Sequence, residues 1–153
     1  MKKFVYLTLT FALVTMNAMA YDTTKAENLL EFYSSMTQKA CANSKLFINA
    51  EDTMKMIRDN NVTLLDVRTE AEVGVITLGG ENAIDIPIAK LFKKESLDKL
   101  PTDKPMVIVC HSGTRALLAA VGLKRIGFKD VQVLKGGLIA LADANNPKNA
   151  PQQ

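Results

Sequence analysis

The sequence predicts an α/β fold in which a central parallel sheet is covered by helices on both faces. Two observations carry this reading. From Lys45 onward, short apolar runs alternate with helical stretches joined by short loops, the pattern of a parallel α/β sheet. Two of those runs, residues 62–67 and 106–109, are apolar with little alternation, as expected of strands buried on both faces.

Taken in order, Leu46, Phe47 and Ile48 form a first short strand. Asn49 or Asp52 can cap a helix running to about Asp59, with Met54, Met56 and Ile57 toward its inner face. Residues 62–67 form the second strand. The next stretch reads as a loop rich in glycine (Gly74, Gly79, Gly80), then a short strand over residues 83–86 that Pro87 stops. Residues 88–100 read as helical at least in part. Pro101 and Pro105 bracket the turn into residues 106–109, the most strongly apolar strand. Residues 114–126 form a helix ended by Gly127, and residues 131–134 form the last strand. Gly136 and Gly137 turn the chain into a final short helix that fades by Asp143. Residues 144–153 carry Pro, Asn and Gln with little to pack, and are expected to be a disordered tail.

Composition bounds the function. The chain has 153 residues, 48% of them hydrophobic, enough for one domain with a real core. There are 19 Lys and Arg against 16 Asp and Glu; without Lys2 and Lys3, which fall in an N-terminal segment expected to be removed, the balance is 17 against 16. Such a balance gives no reason to expect nucleic acid or an anionic membrane as partner. One His and two Cys cannot supply a Cys/His zinc site at the usual spacings, so neither a metal nor a cofactor is expected.

The first twenty residues have the form of an export signal. Lys2 and Lys3 precede an apolar run over residues 4–16, and Ala18-Met19-Ala20 matches a cleavage site. A membrane anchor is the competing reading, but a span needs about 20 apolar residues, and this run is shorter and interrupted by Thr8, Thr10 and Thr15. No Cys follows the cleavage site, which leaves a lipoprotein anchor unsupported. The expected mature chain begins at Tyr21, in an oxidising bacterial periplasm. Residues 21–44 then form a lead-in with one helical stretch, Leu29, Leu30, Phe32, Tyr33 and Met36 recurring at helical spacing between about Lys25 and Lys39. That stretch either covers an edge of the main domain, residues 45–143, or supplies a surface for a partner. In an oxidising compartment Cys41 and Cys110 can be a structural disulfide, or Cys110 can be a thiolate, with Cys41 a spare thiol or its reversible partner.

The chemistry is expected after residue 109, because ligands of parallel α/β sheets sit beyond the carboxyl ends of the strands. There the chain reads Cys110-His111-Ser112-Gly113-Thr114-Arg115 and enters a helix. A short glycine-containing loop before a helix makes a concave run of N–H groups that binds an anion, here the sulfur of Cys110 or an oxyanion or persulfide beside it. A helix dipole contributes about 0.3–1 kcal/mol at an exposed site. One N–H bond to a charged acceptor contributes about 1.5–3 kcal/mol, so the loop outweighs the dipole. A small residue ending a strand would also explain Cys110 alone, but not the Gly three residues on and the Arg five residues on. His111, the single histidine, is a candidate for proton transfer, although a side chain adjacent to a nucleophile usually points away from it.

From about Lys45 to Ala142 the chain resembles a single-domain rhodanese, a sulfurtransferase. Four motifs in order carry the resemblance: Leu65-Asp66-Val67-Arg68, Ile84-Asp85-Ile86-Pro87, the Cys110-x-x-Gly113-x-Arg115 loop, and Leu134-Lys135-Gly136-Gly137. It implies the three-layer rhodanese fold and a persulfide on Cys110. The sulfane sulfur would come from a small donor such as thiosulfate or polysulfide and pass to a thiophilic acceptor. It also implies that the amides from His111 through Ser112, Gly113 and Thr114 to Arg115 stabilise that persulfide, and that Asp66 and Arg68 hold nearby loops without doing chemistry. The sequence departs from the family pattern at Gly74-Val75-Ile76, where Gly-His-Ile is usual, at added residues around Gly79-Gly80-Glu81, and at Ala116, where Ser is commoner. These bear on substrate preference more than on the fold. The export signal, helical lead-in and Cys-x4-Arg loop are similar to periplasmic polysulfide-sulfur transferases, small dimers; by that resemblance a homodimer and a protein acceptor are open partners. Two other readings remain: a carrier or docking module without turnover, and a cysteine phosphatase or arsenate reductase. The latter use a longer Cys-x5-Arg loop, a cradle sized for a tetrahedral anion.

Overall fold

The computed structural model describes residues 20–146 and 148. The expected signal sequence, apart from Ala20, and most of the expected tail lie outside the described residues. The chain divides into two units, one ending at Thr37 and the other beginning at Gln38.

In the first unit, α1 (Thr23–Ser34) is capped by Asp22, whose carboxylate accepts the Lys25 N–H at 3.0 Å. Leu29, Leu30, Tyr33 and Met36 are exposed. The single helical stretch expected between Lys25 and Lys39 is instead α1 and, in the second unit, a separate short α2 (Gln38–Ala42). The cause is local. The hydroxyls of Ser34 and Ser35 donate to the carbonyls of Glu31 and Phe32, bonds that compete with helix continuation.

The second unit carries the sheet. Among the described residues its strands are β1 (Phe47–Ile48), β2 (Thr63–Asp66), β3 (Ala83–Asp85), β4 (Met106–Val109) and β5 (Val131–Leu134). They pair in the order β1-β5-β4-β2-β3, every pair parallel. The expected α/β fold is therefore observed. Every residue of β2 and of β4 is buried, because each strand is covered twice. Leu65, Met106, Ile108, Val131 and Val133 point to a core shared with Ala116, Ala119, Ala120 and Leu123 of α7 (Thr114–Arg125). Leu64, Val107, Val109 and Leu134 point the other way, to Ala50 of α3 (Ala50–Arg58) and Leu141 of α8 (Gly137–Ala144). Three alanines on the inner face of α7 let the helix lie close to the sheet, so its N-terminus is held firmly beside the end of β4.

One stretch differs from expectation, and another, residues 88–100, is helical in part as expected. The glycine-rich loop after β2 contains a helix, α4 (Glu70–Val75), opened by a capping box in which Thr69 and Glu72 satisfy each other's backbone N–H. Gly74 lies inside this helix, where a Cβ would meet nothing within 4 Å. Residues 88–100 hold two four-residue helices, α5 (Ile88–Leu91) and α6 (Lys94–Leu97).

Register aligns the carboxyl ends of the central strands. Asp66 pairs with Val109, and the Val67 N–H continues the ladder to the Val109 carbonyl at 2.9 Å. The turn after β2 thus lies next to the turn after β4. Leu65 is completely buried in the core under α7. Leu65→Ala is expected to lower unfolding free energy by about 2–5 kcal/mol, read from the shift of the urea midpoint at unchanged slope.

Candidate active site at the end of the central strand

The site is built on the backbone that leaves β4. Cys110 is 1% exposed. Its Sγ accepts the Gly113 N–H at 3.1 Å. Gly113 sits at φ +113°, a conformation that favours glycine, and is the N-cap of α7 with no side-chain cap. The N–H groups of Thr114, Arg115 and Ala116 lie in the first turn of α7, where a helix offers its own N–H groups no acceptor. The sulfur therefore sits at the start of a twelve-residue helix, with the loop amide in contact.

A second helix N-terminus holds the loop from the opposite side. The Leu138 N–H donates to the Cys110 carbonyl at 2.8 Å, and the Ile139 N–H to the His111 carbonyl at 3.4 Å. Gly137, at φ +61°, makes this approach feasible: a Cβ there would lie 2.5 Å from the Cys110 carbonyl oxygen and 2.6 Å from that of His111. Nothing can shift to relieve that overlap, because both contacts are backbone.

Arg115 turns back across the loop to α4. Its Nη1 and Nη2 donate to Glu72 Oε2 and Oε1 at 2.7 and 2.6 Å. Glu72 Oε2 also accepts the Thr69 N–H at 3.0 Å and the Thr69 hydroxyl at 2.8 Å. The carboxyl of Glu72 is held well below the usual carboxylate range, first by the Arg115 hydrogen bonds and then by those from Thr69. Arg115 is raised in turn, chiefly by Glu72 and to a lesser extent by the Cys110 sulfur nearby. Glu72 is the residue beside the loop that the sequence did not single out. The available signal was the Thr69-x-x-Glu72 spacing of a capping box.

Asp66 and Arg68, 0% and 3% exposed, form a second pair under the loops. Arg68 Nε donates to both Asp66 oxygens at 3.0 and 2.9 Å, and its Nη2 reaches Oδ2 at 2.6 Å. The same Nη2 donates to the Ile76 carbonyl at 2.7 Å, tying down the chain after α4. The structure thus brings Cys110, Gly113 and Arg115 together and sets Asp66 and Arg68 beneath the neighbouring loop. His111 and Ser112 on the loop and Thr114 at the start of α7 are exposed. Both cysteines are free, Cys41 exposed and Cys110 buried. Among the described residues no cluster of three His, Cys, Asp or Glu has metal-binding geometry.

The loop at the end of β4, the glycine turn into α8 and the parallel five-stranded sheet define a cysteine-centred α/β domain. The family model for the Rhodanese-like domain matches residues 49–144, and the chain belongs to that family. A protein named Sulfurtransferase from Allochromatium vinosum is 33% identical over 108 residues, covering 69% of this chain and 95% of that protein. The probable adenylyltransferase/sulfurtransferase MoeZ of Mycobacterium tuberculosis is 34% identical over 56% of this chain, a match spanning only 21% of that longer protein. The tRNA uridine(34) hydroxylase of Pelagibacter ubique is 36% identical over 56% of this chain and 28% of its own length. Among solved structures, a rhodanese-related protein from Thermoplasma volcanium superposes with a TM-score of 0.55 at 31% identity, covering 66% of this chain and 94% of that one.

Two outcomes test the geometry. Gly137→Ala is expected to destabilise the protein by at least about 1 kcal/mol, since an alanine would be strained at this φ and would overlap backbone; a urea titration reads it. Glu72, depressed in the folded protein, contributes stability that is complete above its ordinary value of 4.5 and is lost as pH falls below it. The stability difference between the wild type and Glu72→Gln is therefore largest at pH 7 and shrinks toward pH 3. A difference independent of pH would remove the ion pair from the account.

Proposed function

We propose that this protein is a rhodanese-type sulfurtransferase that carries a sulfane sulfur from thiosulfate or polysulfide to a thiophilic acceptor as a persulfide on Cys110. The observation that carries the reading is the Gly113 N–H on the Cys110 sulfur at 3.1 Å, at the head of α7. A buried sulfur met by a backbone N–H at a helix N-terminus, with the Arg115 guanidinium beside it, is placed to be held as an anion. The reaction is a displacement at sulfur. The Cys110 thiolate attacks the outer sulfur of the donor, a new S–S bond forms, and sulfite or a shortened polysulfide leaves with the electron pair of the broken bond. The acceptor then attacks the terminal sulfur of the persulfide and Cys110 regains its thiolate. Arg115, tied to Glu72, also reaches the Cys110 sulfur and adds positive charge beside it. Asp66 and Arg68 fix the floor.

By the same reading the mature protein works in the periplasm and begins at Tyr21. Its support is the sequence alone, Lys2, Lys3, the apolar run and Ala18-Met19-Ala20. No helix among the described residues is long and apolar enough to cross a membrane.

Intact mass tests the chemistry. The pre-reduced protein is expected to gain one sulfur on exposure to polysulfide or thiosulfate and to lose it to cyanide. Cys110→Ser, nearly isosteric, is expected to fold as the wild type does and gain nothing. Sulfur loading by Cys110→Ser would sink the proposal, and failure of the wild type to load from either donor would leave a docking module.

A further inference from the structure

Beside the loop lies a groove of about 500 Å³ that the persulfide chemistry does not use, a volume within the roughly 300–1,000 Å³ of small-molecule sites. Its walls are Val75 and Ile76 at the end of α4 and Leu138 and Ile139 at the start of α8, and it includes His111, the residue after Cys110. Val75, Ile76 and Ile139 are 82, 58 and 57% exposed. Single exposed apolar side chains are ordinary; several lining one concave surface that reaches the cysteine loop at His111 mark a binding site.

The charges in the groove point to the ligand's chemistry. Arg68 and Glu72 also line it, but Arg68 is paired with Asp66 and bonded to the Ile76 carbonyl, and Glu72 is paired with Arg115. Each charge is met within the protein, so neither an anionic nor a cationic tail finds a counter-ion without breaking a pair. What the walls offer is apolar contact. The proposed donors, thiosulfate and polysulfide, have no carbon chain to place there, which leaves the second half of the reaction.

We infer that this groove binds the hydrocarbon chain of a small uncharged organic thiol, the acceptor of the Cys110 sulfur. The inference rests on the sulfur-transfer reading and names the acceptor class for the same site. The thiol loses its proton to solvent and its sulfur attacks the terminal sulfur of the persulfide. The bond between that sulfur and Cys110 Sγ breaks, its electron pair returns to Cys110 as thiolate, and the product leaves as an organic persulfide. No net oxidation occurs.

The test follows discharge of the polysulfide-loaded protein by intact mass with ethanethiol, butanethiol, hexanethiol and 2-mercaptoethanesulfonate as acceptors. Burial of one methylene favours binding by about fourfold when complete. The second-order rate is expected to rise roughly two- to fourfold per added methylene in this open groove, with the sulfonate slower than ethanethiol. Val75→Ser combined with Ile139→Ser is expected to flatten the series; both side chains are exposed, and thermal unfolding checks that the fold is kept. Equal rates along the series, a faster sulfonate, or an unchanged series in the double variant would overturn the assignment. So would a dimer in sedimentation that the double variant dissociates, since a second copy would then occupy the groove. A wild type that loads and discharges sulfur without chain-length dependence removes the groove assignment alone; one that never loads removes the sulfur-transfer reading beneath it as well.

Discussion

Two stretches of backbone must touch for this site to exist. The carbonyls of Cys110 and His111 accept the Leu138 and Ile139 N–H groups, which ties the chain leaving β4 to the first turn of α8. A trans peptide holds its C=O and N–H antiparallel. With those two carbonyls turned toward α8, the N–H groups of His111 and Ser112 point away from it. Those two donors are thus kept from α8, while the Gly113 N–H meets the sulfur. Gly137 is the condition for all of this, because any side chain there would collide with the two carbonyls. The path of the cysteine loop is a property of the backbone, set by a glycine twenty-seven positions from the cysteine.

Around that backbone the charged side chains neutralise one another. Arg68 is buried against Asp66, and such a pair is stable only when its remaining donors find acceptors; the Ile76 carbonyl takes one. Arg115 and Glu72 are about one-third exposed. Their bidentate geometry gives orientation more than stability, because solvent screens the attraction. Glu72 is held by Thr69 at the head of α4, so the orientation of Arg115 is inherited from a helix cap. The Arg115–Glu72 pair ties α4 to the helix that follows the cysteine loop, and the Arg68–Asp66 pair ties the chain after α4 to the end of β2.

How much of this was legible depends on distance along the chain. The central strands declared themselves because burial on both faces leaves few polar positions, only Thr63 and Asp66 across β2 and β4, and the cysteine loop did so because its six residues are consecutive. The pairing of Glu72 with Arg115 spans 43 residues, and nothing in a single sequence says which carboxylate will meet a given guanidinium. Even α4 was hidden, since Gly74 and the glycines at 79 and 80 outweigh in local pattern a two-residue cap at Thr69 and Glu72. The lead-in helix was overextended for the opposite reason. Its apolar spacing continues to Met36, while Ser34 and Ser35 bond back to the preceding turn and end it.

The apolar groove belongs to that hidden part, assembled from the end of α4 and the start of α8. Its most exposed wall is Val75, the position at which the sequence departs from the Gly-His-Ile pattern to which it is otherwise similar. The departure and the cradle act together. A backbone donor is a stronger partner for an anion when the surroundings are poor in water, and a side chain that occupies the groove displaces water from the mouth. In the proposed transfer, an apolar wall beside the cysteine loop would therefore tie substrate shape to reactivity. An acceptor whose chain filled the groove would both position its own sulfur and dry the persulfide it attacks, whereas a small hydrated nucleophile would meet the same sulfur without either effect.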